Sequence, residues 1–341
     1  MNRFSYVRVA SVDEAVAALA ADAAAKVVAG GTNLIDLMKY NVERPTRLVD
    51  ITRVPGLDRI EETEGGGLRV GALVPNTAAA YDRLVEERYP LLSSAILAGA
   101  TPQLRNAAST GGNLNQRTRC YYFYDPQTAC NKREPGTGCP AIAGVNRIHA
   151  ILGQSEQCIA THPSDMAVAL AALEAVIHVA GPSGARRIPL ADYHRLPGNR
   201  PEIDTTLARD EIVTSVELPA AAQEFRANYT YLKLRDRLSY AFALVSVAAG
   251  LTIESGSIRK ARIALGGVAH KPWRRPDAED LLVGKPASQE TFARAANLLL
   301  EGARGYEHNA FKIDLARKAT IRALGQAAAA TPQSQVDKRI R

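Results

Sequence analysis

Four cysteines, the only ones in a sequence of 341 residues, lie within one stretch of the chain. Thiolate sulfur binds iron and zinc, and two thiols can pair as a disulfide, so several kinds of chemistry are open. The four residues are Cys120, Cys130, Cys139 and Cys158, with 9, 8 and 18 residues between successive members.

The spacing of these cysteines matches no common metal-binding motif. Structural zinc sites favour Cys-x2-4-Cys pairs, and the usual ferredoxin spacings are also missing. A folded chain of this length hardly needs disulfides. Cationic residues, which stabilise thiolates and anionic clusters, are frequent nearby: Arg117, Arg119, Lys132, Arg133 and Arg147. The residues alone leave open an iron–sulfur cluster, a disulfide or free thiols, and a zinc site.

Two glycine pairs could bind an anion. "VVAGGTN" (27–33), which we call the first glycine turn, places Gly30 and Gly31 between an apolar strand and a helix. Without Cβ atoms, such a turn lets backbone N–H groups approach a pyrophosphate, and the following helix adds its positive end. The second glycine turn, "STGGN" (109–113), has the same chemistry. Neither fits a standard nucleotide motif, but two in one domain favour a dinucleotide.

Two charged residues could assist such a cofactor. Asp165 follows Ser164, a predicted helix cap, so its carboxylate could either stabilise the helix or accept hydrogen bonds from ribose or flavin hydroxyls. Lys233 lies in a predicted strand, where the simplest interpretation is a solvated lysine. The six histidines are scattered, and no nucleophile–base or acid–base arrangement is evident, so we assign no catalytic residue.

The elements around these residues predict an α/β region followed by an α+β region. Strand and helix patterns alternate up to residue 220. Ser11 is the predicted cap of an early helix, and Asn76 is the predicted cap of a helix over 77–88. Residues 115–160, which we call the cysteine segment, show neither helical nor strand periodicity. Such a long irregular segment is typical of a functional loop or of one held by a ligand. Antiparallel strands and two helices are expected over 221–327, and a disordered tail over 328–341.

Composition excludes several classes of protein. Hydrophobic residues make up 46% and charged residues 23%, values typical of a soluble globular protein. No apolar run approaches the roughly 20 residues that cross a bilayer, so no membrane insertion is expected. Acidic residues interrupt the N-terminal region, so no export signal is evident. The net charge of +7 is dispersed, and no nucleic-acid partner is expected.

Taken together, the motifs resemble the FAD-binding subunits of the xanthine oxidase family of molybdenum hydroxylases. Both glycine turns resemble the flavin-binding segments of that family. Other matching stretches are "HPSDMAVAL" (162–170), "EIVTSVELP" (211–219), "YLKLRDRLSYAFALVSVAA" (231–249) and "ALGGVAHKPWR" (264–274). The resemblance covers residues 1 to about 325. It implies a two-part PCMH-type FAD-binding domain over 1–220, followed by a C-terminal domain like that of the CO dehydrogenase flavoprotein.

The cysteine segment narrows the resemblance to subunits that have such an insertion. Flavin subunits of 4-hydroxybenzoyl-CoA reductase and of bacterial periplasmic aldehyde oxidoreductase have one, with a [4Fe-4S] cluster, and the sequence is more similar to the second. The resemblance implies cluster ligation by Cys120, Cys130, Cys139 and Cys158. The reductase subunit, and a zinc-stabilised assembly module without enzymatic activity, are the alternative hypotheses.

The same resemblance implies the residues that bind FAD. Backbone amides of the first glycine turn and its neighbours would surround the pyrophosphate, and the second turn would complete the site. Asp165 would hydrogen-bond the flavin part, Val213 would contribute backbone, and Lys233 would lie near the isoalloxazine. The remaining positions are Lys26, Val27, Val28, Ala29, Gly30, Gly31, Thr32, Asn33, Leu34, Ser109, Thr110, Gly112 and Asn113.

The implied function is electron transfer within a heterotrimer. A partner subunit with a molybdenum cofactor would oxidise an aldehyde, and [2Fe-2S] centres of another subunit would pass the electrons to FAD in this chain. An external acceptor would then take them. The resemblance also implies a periplasmic location, reached by co-export with a signal-bearing partner. The chain by itself, without a visible signal, would be interpreted as cytoplasmic.

Overall fold

The computed structural model describes residues 1–335 and 337. Three β-sheets organise these residues: a small parallel sheet, a five-stranded antiparallel sheet and a three-stranded antiparallel sheet. Each sheet has its own hydrophobic core, and a fourth, smaller core lies in the cysteine segment. The α/β and α+β regions predicted from the sequence are therefore confirmed.

The N-terminal sheet is parallel, with its third strand in the middle. Its strands are β1 (Ser5–Arg8), β2 (Ala25–Val28) and β3 (Arg47–Asp50), and its helices are α1 (Val12–Ala21) and α2 (Leu34–Lys39). Ser11 caps α1 as predicted, because its side chain accepts a hydrogen bond from the N–H of Glu14. The first glycine turn joins β2 to α2.

The second sheet has the strand order β4-β5-β8-β6-β7. The strands are β4 (Ile60–Glu62), β5 (Leu68–Gly71), β6 (Val176–Gly181), β7 (Gly184–Pro189) and β8 (Ile212–Leu218). The helices of this region are α3 (Asn76–Tyr81), α4 (Arg83–Arg88), α5 (Pro90–Ala98), α6 (Pro102–Ala107), α7 (Thr110–Leu114), α9 (Asp165–Ala172) and α10 (Leu190–Tyr193). The short α7 begins in the second glycine turn.

The single helix predicted over 77–88 is two helices in the structure. Asn76 does not cap the first of them, since its side chain is buried and accepts a hydrogen bond from Asn113 at 2.6 Å. Asp82 caps the second helix instead, because one of its side-chain oxygens accepts from the N–H groups of Leu84 and Val85. A cap in the middle of a helical pattern breaks the pattern at that residue.

The cysteine segment is mostly irregular, as predicted. It contains one helical turn, α8 (Tyr121–Tyr124), and a 3-10 turn at Pro140–Ile142. Phe123, three of the cysteines and Leu37 of α2 form the small core that holds this segment against the N-terminal region.

The C-terminal region is an antiparallel sheet covered by helices. Its strands are β9 (Tyr229–Leu234), β10 (Val245–Glu254) and β11 (Ser257–Gly266), and its helices are α11 (Pro276–Asp280), α12 (Gln289–Leu299) and α13 (Phe311–Ala328). A second 3-10 turn, Ala220–Phe225, precedes it. No helix in the described part of the chain is long and apolar enough to cross a membrane.

The predicted tail lies partly within the described residues. Gln333 donates its backbone N–H to Thr230, and the side chain of Gln335 donates to the carbonyl of Tyr231. This part of the tail therefore lies along β9, whereas the sequence favoured disorder. For residue 336 and residues 338–341 the prediction lies outside the described residues.

Candidate functional site

The first glycine turn presents a row of open amide groups. Gly31 has a φ of +70°, a left-handed conformation that glycine adopts without steric cost. The N–H groups of residues 30–34 make no hydrogen bond to any other residue that the structure describes. The side-chain nitrogen of Asn33 is likewise buried and unpaired within the described residues. Successive free N–H groups in a turn form an anion-binding concavity, so this turn fits a pyrophosphate.

The first glycine turn is in direct backbone contact with the residues that lead into the second. A Cβ atom on Gly30 would lie 1.7 Å from the carbonyl oxygen of Ala107, two residues before the second turn. Only a residue without a side chain allows this approach. The structure therefore brings together the two motifs that the sequence places almost 80 residues apart.

Four of the five amides of the second glycine turn are already occupied within the described residues. Ser109 accepts the N–H of Gly112 with its hydroxyl and the N–H of Asn113 with its carbonyl. The N–H groups of Thr110 and Gly111 bond to carbonyls of the β5–α3 connection. This turn is therefore fixed to the second sheet, and most of the open amides belong to the first turn. That division of roles was not evident from the sequence, where both turns show the same chemistry.

Asn113 connects the second glycine turn to helix α9. Its side-chain oxygen accepts hydrogen bonds from the Ser164 hydroxyl at 2.6 Å and from Gln116 at 2.8 Å. Ser164 also caps α9 as predicted, by accepting the N–H of Ala167 at 2.9 Å. These contacts fix the position of Asp165, the first residue of α9, next to the second turn.

Asp165 and Lys233 form a buried ion pair at this junction. The Lys233 ammonium donates to one carboxylate oxygen at 2.7 Å, and the Tyr231 hydroxyl donates to the other at 2.7 Å. The side chains are only 3% and 9% exposed for the lysine and the aspartate, respectively. The interpretation of Lys233 as a solvated lysine is therefore wrong. Lys233 also donates to the carbonyl of Ala98 at 3.1 Å, which joins the C-terminal sheet to helix α5.

The other predicted FAD residues lie at the ends of strands. Val27 and Val28 belong to β2, directly before the open amides, and Ala29 packs against the core of the N-terminal sheet. Lys26 is half exposed, and its ammonium lies 3.7 Å from a carboxylate oxygen of Glu43. Val213 is buried in β8 beside a register shift against β6, so only its backbone could contact a cofactor.

The four cysteines line one cavity as free thiols. Cys120, Cys130 and Cys158 are buried, whereas Cys139 is partly exposed. No group of three or more His, Cys, Asp or Glu side chains in residues 1–335 and 337 converges closely enough for a single metal ion. Thiolates around a shared cavity are the ligand chemistry of iron–sulfur clusters, whose several iron atoms need wider spacing than one zinc ion.

The cysteine thiols differ in acidity. Burial raises the pKa of Cys120 to about 12. Cys139 and Cys158 share a hydrogen bond, which lowers the pKa of Cys139 to about 6 and raises that of Cys158. Of these three thiols, Cys139 is the most exposed and the one that ionises most easily. Its thiolate is the form that binds metal.

Two histidines contact these sulfur atoms. The Nε2 atom of His149 lies 3.1 Å from Sγ of Cys120, and the Nε2 atom of His270 lies 3.3 Å from Sγ of Cys158. Burial, with the nearby Lys312 ammonium, lowers the pKa of His149 to about 4, and burial also lowers the pKa of His270. The sequence did not reveal His270, because it lies 112 residues beyond the cysteine that it contacts.

A charged network attaches the cysteine segment to the FAD-binding region. Both oxygens of Asp204 bind cations, with Lys132 Nζ at 2.5 Å and Arg117 Nε at 2.9 Å. Arg117 also binds Glu43 at 2.6 Å. Partial burial alone would raise the pKa of Asp204, but the two cations outweigh it and hold that pKa well below its usual range. The sequence did not predict the roles of Asp204 and Glu43, because no local pattern links them to partners so far away in the chain.

Replacing Asp204 with asparagine is expected to destabilise the chain by about 2–3 kcal/mol at pH 7. The Lys132 side chain is only 2% exposed and would lose its counter-ion, while Asp204 itself is 31% exposed, which moderates the cost. Because the folded-state pKa of Asp204 is depressed, its contribution is present above the ordinary carboxyl pKa of about 4 and is lost as the pH falls below it. Urea unfolding at several pH values measures both effects.

Asp236 offers the matched control for this variant. Its pair with Arg147 is exposed on both sides, so Asp236→Asn is expected to cost less than about 1 kcal/mol. The difference in stability between wild type and Asp204→Asn should shrink as the pH falls below about 4. A gap that stays constant down to low pH would show that the Asp204 carboxylate is not the source of the stabilisation.

Two family models match successive parts of the chain. Residues 2–221 match the family described as FAD binding domain in molybdopterin dehydrogenase. Residues 229–327 match the family described as CO dehydrogenase flavoprotein C-terminal domain.

Several relatives extend over nearly the whole chain. The aldehyde oxidoreductase FAD-binding subunit PaoB of Escherichia coli (strain K12) is 48% identical over 331 residues, 96% of this chain and 99% of that protein. The carbon monoxide dehydrogenase medium chain of Hydrogenophaga pseudoflava is 29% identical and aligns over 86% of this chain and 85% of that protein. The structure of quinoline 2-oxidoreductase from Pseudomonas putida 86 aligns with a TM-score of 0.74 at 28% identity, over 97% of this chain and 98% of that chain.

Proposed function

This chain belongs to the FAD-binding subunits of the molybdenum hydroxylases, and we propose that it transfers electrons within an aldehyde-oxidising complex. The 48% identity to an aldehyde oxidoreductase subunit supports an aldehyde as the substrate of the complex. In this proposal the aldehyde reacts at a partner subunit with a molybdenum cofactor. Electrons then reach this chain through the [2Fe-2S] centres of a second partner and leave to an external acceptor. The complete assembly would be a heterotrimer.

The row of open amides in the first glycine turn is the observation on which the proposal rests. A flavin nucleotide has a pyrophosphate that needs several N–H donors, and residues 30–34 offer them without competition from other described residues. Asp165, held by Lys233 and Tyr231, lies beside the second glycine turn, where it could accept hydrogen bonds from cofactor hydroxyl groups. Bound FAD would supply the redox chemistry, and the protein would bind and orient it.

We also propose that Cys120, Cys130, Cys139 and Cys158 bind a [4Fe-4S] cluster. Four free thiols around one cavity support this assignment. So do the nearby Arg119 and Arg133, which donate to carbonyls and have no carboxylate partner in the described residues, so their charge could offset that of an anionic cluster. The Asp204 network would hold the segment in place. We further propose a periplasmic location, with export beside a partner that has the signal.

Cofactor analysis of the purified full chain tests both assignments. We expect bound FAD, about four iron atoms per chain, and an absorption spectrum with flavin and iron–sulfur bands. A chain that retains zinc and no iron would contradict the cluster, and a chain unable to bind added FAD would contradict the flavin site. Turnover of aldehydes by the assembled complex, and failure with aromatic thioesters, would separate the aldehyde oxidoreductase from the acyl-CoA reductase alternative.

Replacing Cys120 with serine is expected to remove most of the iron while FAD content stays near the wild-type level. Cys120 lies in a core that is separate from the glycine turns. Removing this ligand should therefore leave the position of the open amides unchanged. Iron and flavin are quantified on the same preparation. Loss of both cofactors in every single-cysteine variant would contradict the separation of the two sites.

A further inference from the structure

Each of two buried histidines has one ring nitrogen against a cysteine sulfur. His149 contacts Cys120 at 3.1 Å, and His270 contacts Cys158 at 3.3 Å. In both rings the other nitrogen, Nδ1, has no hydrogen-bond partner within the described part of the chain. The contact through Nε2 is therefore the one polar interaction that each ring makes there. Because buried polar groups in folded proteins nearly always have a hydrogen-bond partner, this contact is the one that accounts for a buried imidazole at each position.

The C-terminal domain fixes the position of both rings. His270 lies just beyond β11 of that domain, and the neighbouring carbonyl of Ala269 accepts the N–H of His162 at 3.0 Å. The carbonyl of His149 accepts hydrogen bonds from Lys312 at 2.8 Å and from Asn309 at 3.2 Å. Lys312 is completely buried and comes from α13. His270 thus belongs to the C-terminal domain, and the backbone that carries the His149 ring is anchored to that domain by hydrogen bonds.

The chemistry of a metal-bound thiolate determines the direction of these hydrogen bonds. A thiolate that binds iron has lost its proton and can only accept. A neutral imidazole has one N–H donor, so the proton must lie on Nε2 in both rings. The unpartnered Nδ1 atoms then are acceptors, which cost less to leave unpaired than a second buried donor on each ring would.

We propose that His149 and His270 donate Nε2–H hydrogen bonds to the Cys120 and Cys158 thiolates and thereby raise the reduction potential of the cluster. This inference rests on the [4Fe-4S] cluster of the proposed function. Reduction adds one electron and hence one negative charge to the cluster and its thiolates, and no bond is broken. A donor aimed at the sulfur stabilises the more negative, reduced state more than the oxidised one, and hydrogen bonds to the sulfurs are known to tune such potentials.

The test is a redox titration of the full chain followed by electron paramagnetic resonance. His149→Leu and His270→Leu remove the donor at similar volume, and we expect each to favour the oxidised cluster by roughly threefold to tenfold, where tenfold equals about 59 mV for one electron. His149→Gln and His270→Gln keep an N–H near the Nε2 position and should restore much of the wild-type potential. Iron content should stay near wild type in all four variants.

His178 supplies the matched control. Its ring bonds to Glu217 at 2.7 Å in the second sheet, away from the cysteines, so His178→Leu should leave the cluster potential unchanged. If both leucine variants kept a full cluster with an unchanged reduction potential, this inference would be wrong, while the proposed cluster would stand. Loss of iron in the leucine and glutamine variants alike would overturn it in favour of histidine ligation. A wild-type chain without an iron–sulfur signal would instead contradict the cluster itself, and the inference with it.

Discussion

Replacing Gly30 with alanine is expected to abolish FAD binding and to destabilise the N-terminal domain. The new Cβ would lie 1.7 Å from the carbonyl oxygen of Ala107, about half of an ordinary contact distance. The backbone fixes the position of the new Cβ, and the oxygen belongs to the backbone of Ala107, so no rotation relieves the clash. The first glycine turn must therefore move away from the residues that lead into the second. Overpacking of this kind typically costs about 1–3 kcal/mol, and a backbone clash belongs at the upper end.

The loss of FAD follows from the same displacement. The open amides of residues 30–34 begin at Gly30, so moving this residue misaligns the donors relative to the second turn and Asp165. Flavin content after purification and urea unfolding measure the two effects. Iron content should change little, since the cysteine cavity has its own core.

Gly325 is the matched control, because it lies within α13 and a Cβ there would meet nothing within 4 Å. Gly325→Ala should therefore stabilise the chain by about 0.5–1 kcal/mol through helix propensity. If Gly30→Ala lowered the free energy of unfolding and Gly325→Ala raised it, the contact between residue 30 and Ala107 would be identified as the cause. Full FAD content in Gly30→Ala would show that the first turn does not bind the cofactor.

Local patterns in the sequence predicted the parts of the site that depend on neighbouring residues. Ser11 and Ser164 cap their helices as predicted, because a cap involves only the next few residues. The first glycine turn joins a strand to a helix, as the sequence indicated. Asn76 shows the limit of this approach, since its side chain pairs with Asn113 across the fold instead of capping its own helix. A local propensity gives way where a tertiary partner is available.

Contacts between distant segments were not predictable from one sequence. Arg117 and Asp204 are 87 residues apart, and Cys158 and His270 are 112 apart. No periodicity or motif links such pairs, and the chain contains many arginines and aspartates that could have been chosen instead. The cysteine spacing was likewise uninformative, because the cavity forms only when the irregular segment folds around its own core.

The C-terminal domain contributes to both candidate sites, although Lys233 was the only residue of that domain that the sequence assigned to either of them. Its strand β9 provides Lys233 and Tyr231 to Asp165, and the end of β11 provides His270 to Cys158. Lys312 of α13 holds the segment that contains His149. The FAD-binding domain alone would therefore lack Lys233 and Tyr231 at the first site and His270 at the second.

Replacing Lys233 with methionine is expected to destabilise the chain by about 3–5 kcal/mol, because Asp165 would keep a buried charge without its counter-ion. Methionine has a similar length, so packing is largely preserved and the change tests the charge. Lys260→Met is the matched control, since the Lys260–Glu224 pair has the same 2.7 Å distance but lysine and glutamate side chains that are 53% and 38% exposed. That variant should cost less than about 1 kcal/mol.

A second substitution separates the charge from its surroundings. Adding Asp165→Asn to Lys233→Met removes the unpaired carboxylate, while the amide oxygen can still accept the Tyr231 hydroxyl. The double variant should therefore recover part of the stability lost in Lys233→Met, yet bind FAD less tightly than wild type. Urea unfolding and flavin titration measure these two quantities. If Lys233→Met cost no more than Lys260→Met, the pair could not be the link that holds Asp165 in position between the two domains.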